Sequence, residues 1–394
     1  MTAPALIGID RVARIAATHA DAVDREGRFP AEAVAAMREE GLLGQMVPAT
    51  LGGRGTPLSV VAQQTQVLAR ACASSAMVFA MHHNQIACVI DHALGDPWHA
   101  DFARRLAAEQ LLVASVTSEV GIGGDMRSST CAVAVADGRF TLEKAAPTIS
   151  YARYADAFFV TARAHADAPA SDQVLVTVLR ADTTLDHTGE WDALGLRGTC
   201  SEAFRFVGTG LAAQVMPTSF ADIAGATMVP VSHLLWAAAW TGIAVDATAR
   251  ARRFLRERAR RTPGVVPPGA ARLTQSVGPL QQMRSRLREL LAQYDSARDP
   301  AAAAAVPPRD RWPEGMALAV AMNSLKVDVS ETCLQVVHNA MVICGMAGYR
   351  NGTEYSVGRH LRDIYSAQLM ISNDRVVATT GALLLAQRSE IGAL

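Results

Sequence analysis

The hydrophobic period changes twice along this chain, and that change limits the fold more than any single motif does. From Asp10 to about Gln110, apolar residues recur three and four apart, as at Ala33, Met37 and Leu42, the spacing of one helix face. Phe29-Pro30 reads as a helix start, since proline suits a first turn whose N–H has no partner anyway. Gly41 and the loop Pro48 to Gly55 separate helices. From about Leu111 to Met216 the pattern shifts to short runs rich in β-branched and aromatic residues: LLVASV, CAVAV, FTLEK, AFFVTA, QVLVTVL and AFRFV. Short strands at this spacing predict a small barrel or sandwich. After Thr218 the helical period returns, broken by TPGVVPPGA at 262–270 and by an irregular stretch from Ser296 to Gly315. The expected class is mainly α with a small β-domain. It divides into an N-terminal helical domain at 1–110, a middle β-barrel domain at 111–217 and a C-terminal helical bundle at 218–394.

Charge and cysteine usage narrow the function classes. The 37 basic and 37 acidic residues cancel, which leaves no basic surface for nucleic acid. The six cysteines are scattered without a C-x-x-C pair and read as buried thiols in a reducing compartment rather than disulfides or a metal site. The N-terminus has no long apolar core behind a basic start, so no secretory leader is expected. The most apolar stretch, Met228 to Ala247, carries Ser232, His233 and Asp246 and fits a buried bundle helix better than a membrane span. The expectation is a cytoplasmic protein without metal.

Five segments, in order, carry a resemblance: FPAEAVAAMREEGLLGQMVPATLGGRG, the loop Ser118-Glu-Val-Gly-Ile-Gly-Gly-Asp125, LEKAAPTISYARYADAFFVTAR, WDALGLRGTCSEAFRF, and Cys344-Gly-Met-Ala-Gly-Tyr349 followed by Arg359-His-Leu-Arg-Asp363. Each is weak alone. Together, and with the helix–β–helix order, the chain resembles the acyl-CoA dehydrogenase superfamily of flavoproteins over nearly its whole length. The resemblance implies a C-terminal four-helix bundle, FAD as cofactor, and a homodimer or homotetramer whose cofactor site is completed across a subunit interface.

Specific residues follow from it. A glycine-rich loop at a strand end lets backbone N–H groups approach a flavin ring. Thr117, Ser118 and Ser150 match hydroxyls that meet the ring's polar edge, with Gly123 and Gly124 in the loop; Gly124 stands in place of the usual serine. Arg260 and Gln275 match the arginine and glutamine that a neighbouring subunit sends to the FAD phosphates and adenosine, and an arginine fork suits a diphosphate. Gly345 and Gly348 match the C-terminal glycines.

The resemblance also exposes a gap. A dehydrogenase of this kind needs a carboxylate to take the α-proton of an acyl thioester. The two places where the family carries it hold Ile371 and Ser232. Three explanations stay open, and the first is the leading expectation. Asp374, nearly one helical turn beyond Ile371, is the base of an FAD-dependent oxidoreductase acting on the Cα–Cβ bond of an acyl thioester on CoA or a carrier protein, with an electron-transfer flavoprotein as partner. Alternatively, the chain is an oxygen-using flavin monooxygenase or oxidase with histidines in its pocket, for which His82, His83 and His233 are candidates, since a neutral imidazole can exchange protons near pH 7. The third is a non-catalytic binding homologue. Ser232, Trp236, Met370, Ile371 and His82 are the expected pocket residues.

Overall fold

A computed structural model of the chain describes residues 8–123, 125–299 and 311–386. Helices lie on both sides of a β region, as the period change requires. The first are α1 (Ile9–Glu26), α2 (Ala31–Glu39), α3 (Leu58–Ala71), α4 (Ala73–His92) and α5 (Pro97–Glu109). In α1 the buried residues Ile9, Val12, Ala16, Ala20 and Val23 fall on one stripe, and Gly27 ends the helix at φ 62°, a left-handed cap that costs glycine little. Pro97 opens α5, and the Asp96 side chain accepts from the His99 N–H at 3.0 Å.

The strands are β1 (Val113–Val116), β2 (Ala134–Ala136), β3 (Arg139–Ala146), β4 (Ala157–Arg163), β5 (Gln173–Leu179), β6 (Thr183–Gly189) and β7 (Ala203–Leu211). They form two sheets, ordered β1-β4-β5 and β2-β3-β7-β6. β1 runs parallel to β4, with Val113 opposite Ala157; the other pairings are antiparallel. β6 has no counterpart among the runs read from sequence. None of its residues is buried, so its polar sequence TTLDHTG carries no core-facing alternation to detect.

After the strands come α6 (Phe220–Ile223), a π-helical turn at Ala224–Met228, α7 (Val229–Arg261), α8 (Ala270–Arg298), α9 (Gly315–Cys344), α10 (Met346–Tyr349), α11 (Gly358–Leu369) and α12 (Asn373–Ala386). The break expected at 262–270 separates α7 from α8. Of the stretch Ser296 to Gly315, residues 300–310 lie outside those described. Among the described residues one helical run, Phe220–Arg261, is long and apolar enough to cross a membrane, but 83% of its apolar window is buried inside the protein, as a bundle helix would be.

The chain divides by its contacts into two units. One comprises Met1–Pro57, Met77–Ala193 and Arg197–Ser232 and holds both sheets; the other comprises Leu58–Ala76, Leu194–Leu196 and His233–Leu394 and holds the bundle. Within the bundle unit, the first two N–H groups of α3 are capped by the Asp295 carboxylate of α8 at 2.9 and 3.1 Å. The short segment Leu194–Leu196 packs on α11: a Cβ on Gly195 would sit 2.2 Å from the Arg362 carbonyl oxygen, and the Leu196 N–H donates to Asp363 Oδ1 at 2.7 Å. Two motifs far apart in sequence thus meet in space, which explains a glycine in the first and an aspartate in the second.

Candidate functional site

In the sheet-containing unit, the end of β1 leads into Thr117 and Ser118. Both are half-buried. Ser118 Oγ donates to the Thr148 carbonyl at 2.6 Å, and Thr148 Oγ1 donates back to Ser118 Oγ at 3.2 Å. Ser150 Oγ lies 2.8 Å from Ser201 Oγ, which is 2.8 Å from Thr199 Oγ1. The turn that carries Ser150 is tied to the same segment through Ile149 N–H to Glu202 O (2.9 Å) and Tyr151 N–H to Thr199 O (2.7 Å). Two of the expected hydroxyls, Ser118 and Ser150, therefore sit in two short chains, while Thr117 Oγ1 accepts from Ser115 Oγ at 3.4 Å. Thr148, Thr199 and Ser201, which complete them, are visible in the sequence only as motif positions. Gly123 adopts φ 58° with open space on its Cβ side; Gly124 lies outside the described residues.

Beneath Ser118 a buried ion pair is held by hydrogen bonds. Glu119, 5% exposed, accepts from the N–H groups of Thr130 and Cys131 (both 2.8 Å), from Ser129 Oγ (2.7 Å) and from Thr130 Oγ1. Lys144 Nζ lies 3.4 Å from Glu119 and donates to Thr161 O and Oγ1, both at 2.7 Å. Burial would raise the Glu119 pKa, but the hydroxyl donors and the ammonium together hold it below the ordinary range, so the carboxylate is charged. Sequence did carry a signal. On β3 the inward positions are Phe140, Leu142, Lys144 and Ala146, and a lysine in an inward slot of a strand needs an anion.

The three histidine candidates are all buried. His82 accepts the Val113 N–H at Nδ1 (3.1 Å), which leaves Nε2–H to donate to the Leu43 carbonyl at 2.8 Å. His83 contacts the Phe79 carbonyl through Nδ1 (2.9 Å), and its Nε2 lies 3.1 Å from the Leu42 carbonyl and 3.4 Å from the Gln45 amide. Burial depresses both pKa values, that of His83 to about 4. In this geometry both rings brace α4 within the fold. Ser232 is likewise engaged locally, donating to the Val229 carbonyl of its own helix at 2.9 Å.

His233 differs. In the bundle unit its Nδ1 meets the Met322 carbonyl at 3.1 Å, while Nε2 is buried without a hydrogen-bond partner. Burial lowers its pKa to about 4. The partly exposed Trp236 ring lies 6.2 Å from it. Ile371, between α11 and α12, adopts φ 48°, a left-handed conformation that is strained for a β-branched residue. Its carbonyl accepts from Lys326 Nζ at 2.8 Å, and the same ammonium donates to Asn373 Oδ1 at 2.5 Å. Lys326 is fully buried, and burial lowers its pKa to about 8. Met370 caps α11 and is half-buried; Asp374 sits in the first turn of α12 and is exposed.

A cavity of about 560 Å³ opens in the bundle unit, lined among others by Phe254, Arg258, Arg272, Gly345 and Met346. Gly345, at φ 55°, has nothing within 4 Å of a would-be Cβ, so the wall is open there. Gly348 instead packs inward, 2.6 Å from Cys344 Cβ by the same measure. Arg258 lies over Phe254, its guanidinium carbon 5.6 Å from the ring centroid, and Arg272 donates to Asn339 Oδ1 at 2.9 Å. Arg260 and Gln275 are exposed and do not line this cavity. Two residues along a helix turn the side chain by about 200°, which is why Arg258 rather than Arg260 faces it. Two guanidinium groups beside an open glycine wall fit the phosphate end of a dinucleotide.

Comparison with known proteins agrees with the fold. The model of the acyl-CoA dehydrogenase N-terminal domain matches residues 10–109 and that of the C-terminal domain residues 231–371, together more than half of the chain. The protein belongs to the acyl-CoA dehydrogenase superfamily. An amino sugar nitrososynthase of Streptomyces peucetius is 27% identical over 358 residues, 88% of this chain and 84% of the relative. The cyclohex-1-ene-1-carbonyl-CoA dehydrogenase of Syntrophus aciditrophicus is 23% identical over 376 residues, 92% of this chain and 84% of that one. Among solved structures, dibenzothiophene monooxygenase of Paenibacillus sp. A11-2, in complex with FMN and indole, superposes with a TM-score of 0.83 at 21% identity, covering 98% of each chain.

Proposed function

We propose that this protein is a flavin-dependent monooxygenase that transfers oxygen to a small, heteroatom-bearing organic substrate. The observation that carries the proposal is the fate of the two positions where a dehydrogenase would place its carboxylate. One is Ser232, bonded to its own helix. The other is Ile371, turned left-handed with its carbonyl held by Lys326. Asp374 is exposed on α12. Oxygen transfer needs no carboxylate to abstract a carbon-bound proton, and the nitrososynthase and the dibenzothiophene monooxygenase support the same reading.

In this reading the cofactor is FAD. In the sheet-containing unit, Thr117, Ser118 and Ser150 would face the polar edge of a flavin ring; in the bundle unit, the guanidinium groups of Arg258 and Arg272 would suit a diphosphate. A bound reduced flavin would supply the two electrons that, with two protons, let one oxygen atom of dioxygen enter the substrate while the other leaves as water. His233, neutral at pH 7, offers the lone pair of its unpaired Nε2 to a donor group. Exposed apolar residues of the bundle unit, among them Met346 (68%), Tyr349 (70%) and Leu369 (77%), support assembly into a homodimer or homotetramer. The six free cysteines, none of them exposed, support a cytoplasmic setting.

The second reading is oxidation of an acyl thioester at Cα–Cβ with Asp374 as base and an electron-transfer flavoprotein as acceptor, favoured by the cyclohexenecarbonyl-CoA dehydrogenase relative. A visible spectrum followed by two reactions separates the readings. Anaerobic mixing with saturated acyl-CoAs should leave the flavin oxidised. Chemically reduced enzyme mixed with oxygen should show a transient absorbance distinct from oxidised and reduced flavin, and amino sugars or heteroaromatics should be oxygenated. Bleaching by an acyl-CoA would instead establish the dehydrogenase.

A further inference from the structure

Glu119 lies outside every role assigned so far, yet four hydrogen-bond donors and one ammonium converge on it. Its position explains why. Ser118, just before it, is tied to the Thr148 carbonyl, and the Val120 N–H, just after it, donates to the Ala145 carbonyl at 3.0 Å. The donors to its carboxylate come from Ser129, Thr130 and Cys131, ten to twelve positions further on. The carboxylate therefore joins the two ends of one loop, while Lys144 links that junction to Thr161 of β4. Among the described residues between those ends, Val120 is 60% exposed, Gly121 and Gly123 take φ of 92° and 58°, and the Arg127 side chain is 77% exposed, while the Met126 carbonyl accepts from Gln173 Nε2 at 3.1 Å.

An ion pair kept only for stability would not need this arrangement, since a buried pair can be exchanged for apolar residues at little cost. Here the carboxylate is spent mainly on loop N–H and O–H groups, which an apolar replacement cannot bind. We propose that Glu119 is a positioning residue: by closing the base of the 120–128 loop it fixes Thr117 and Ser118 in the orientation that receives the flavin ring. The proposal rests on the flavin reading above.

Three variants of the full chain test it: Glu119→Gln, the charge-free pair Glu119→Gln/Lys144→Met, and Thr130→Val, which removes one hydroxyl donor and leaves both charges in place. Trypsin cleavage after Arg127 reads the loop without reference to flavin, and a flavin titration by fluorescence reads the site. Loss of one charge-assisted bond corresponds to roughly a tenfold effect or more. Thr130→Val should raise both the cleavage rate and the flavin dissociation constant by about that factor, with the melting temperature of the flavin-free protein lowered only modestly. The double variant, in which no ammonium is left buried without its carboxylate, should melt above Glu119→Gln though below wild type, and should stay loose toward flavin. Wild-type flavin affinity and wild-type cleavage in Thr130→Val, or recovery of flavin affinity in the double variant, would overturn the proposal and leave Glu119–Lys144 a merely structural pair. If Glu119→Gln does not fold, Thr130→Val decides alone. If the wild-type protein binds no flavin, the flavin reading fails, and unchanged cleavage at Arg127 would then show separately that Glu119 does not clamp the loop.

Discussion

Replacing Lys326 by methionine removes an ammonium that is fully buried and, among the described residues, bonded to two neutral acceptors, the Ile371 carbonyl and Asn373 Oδ1. In the fold its pKa is lowered to about 8 by burial, against the favourable field of Glu331. In the unfolded chain it titrates near 10.5. Between these values the unfolded state binds more protons, so the stability of the native protein rises with pH through this window and is flat for this group below it. From pH 7.5 to pH 10 the gain works out at about 2.5 kcal/mol. Lys326→Met forfeits that gain and leaves the Ile371 carbonyl unpaired at about 1–3 kcal/mol, while Asn373 Oδ1 keeps the Ser330 hydroxyl at 3.4 Å, and the cost is partly offset because no charge is buried any longer. The variant should therefore be modestly destabilised at pH 7.5 and more so, by about a further 2.5 kcal/mol, at pH 10. Urea unfolding at several pH values and one fixed protein concentration measures this, because titrations common to both proteins cancel. Parallel stability–pH curves for the two proteins would refute the reasoning, whatever the difference at neutral pH.

Three further outcomes follow from particular contacts. His83 and His233 are neutral in the fold with pKa lowered to about 4 by burial, so the stability they contribute is lost as pH falls from about 6.5 toward 4, about 3 kcal/mol for each; His233→Gln should lose less on acidification than wild type, and an equal loss would contradict the assignment. Gly195→Ala drives a Cβ to 2.2 Å from the Arg362 carbonyl oxygen. That atom is backbone and cannot swing away, so urea unfolding should show a cost of about 1–3 kcal/mol or more; a variant as stable as wild type would mean that Leu194–Leu196 does not pack on α11 as described. Arg258→Ala and Arg272→Ala should each weaken flavin retention roughly tenfold or more, measured by equilibrium dialysis, while Arg260→Ala should not; the opposite ranking would restore the phosphate role to Arg260.

The amino-acid sequence by itself determined the order of helices and strands, because the spacing of apolar residues reports which face of each element must leave water. It also placed the breaks, where Pro30, Gly41 and the proline pair near 267 restrict the backbone in ways that need no tertiary contact. Motif order carried the superfamily, and the missing carboxylate was legible as the residues Ile371 and Ser232. What the period cannot report is which group meets a given face. Arg258 and Arg260 are alike in composition and neighbourhood, and only the position of α7 against the cavity wall selects Arg258. β6 escaped notice because an exposed strand buries nothing that would imprint an alternation. Lys326, Glu119 and Gly195 look ordinary in the sequence. Their partners lie 45 to 47, 10 to 25 and about 167 positions away, so burial, pKa and steric closeness arise only when the chain folds back and brings those groups into contact.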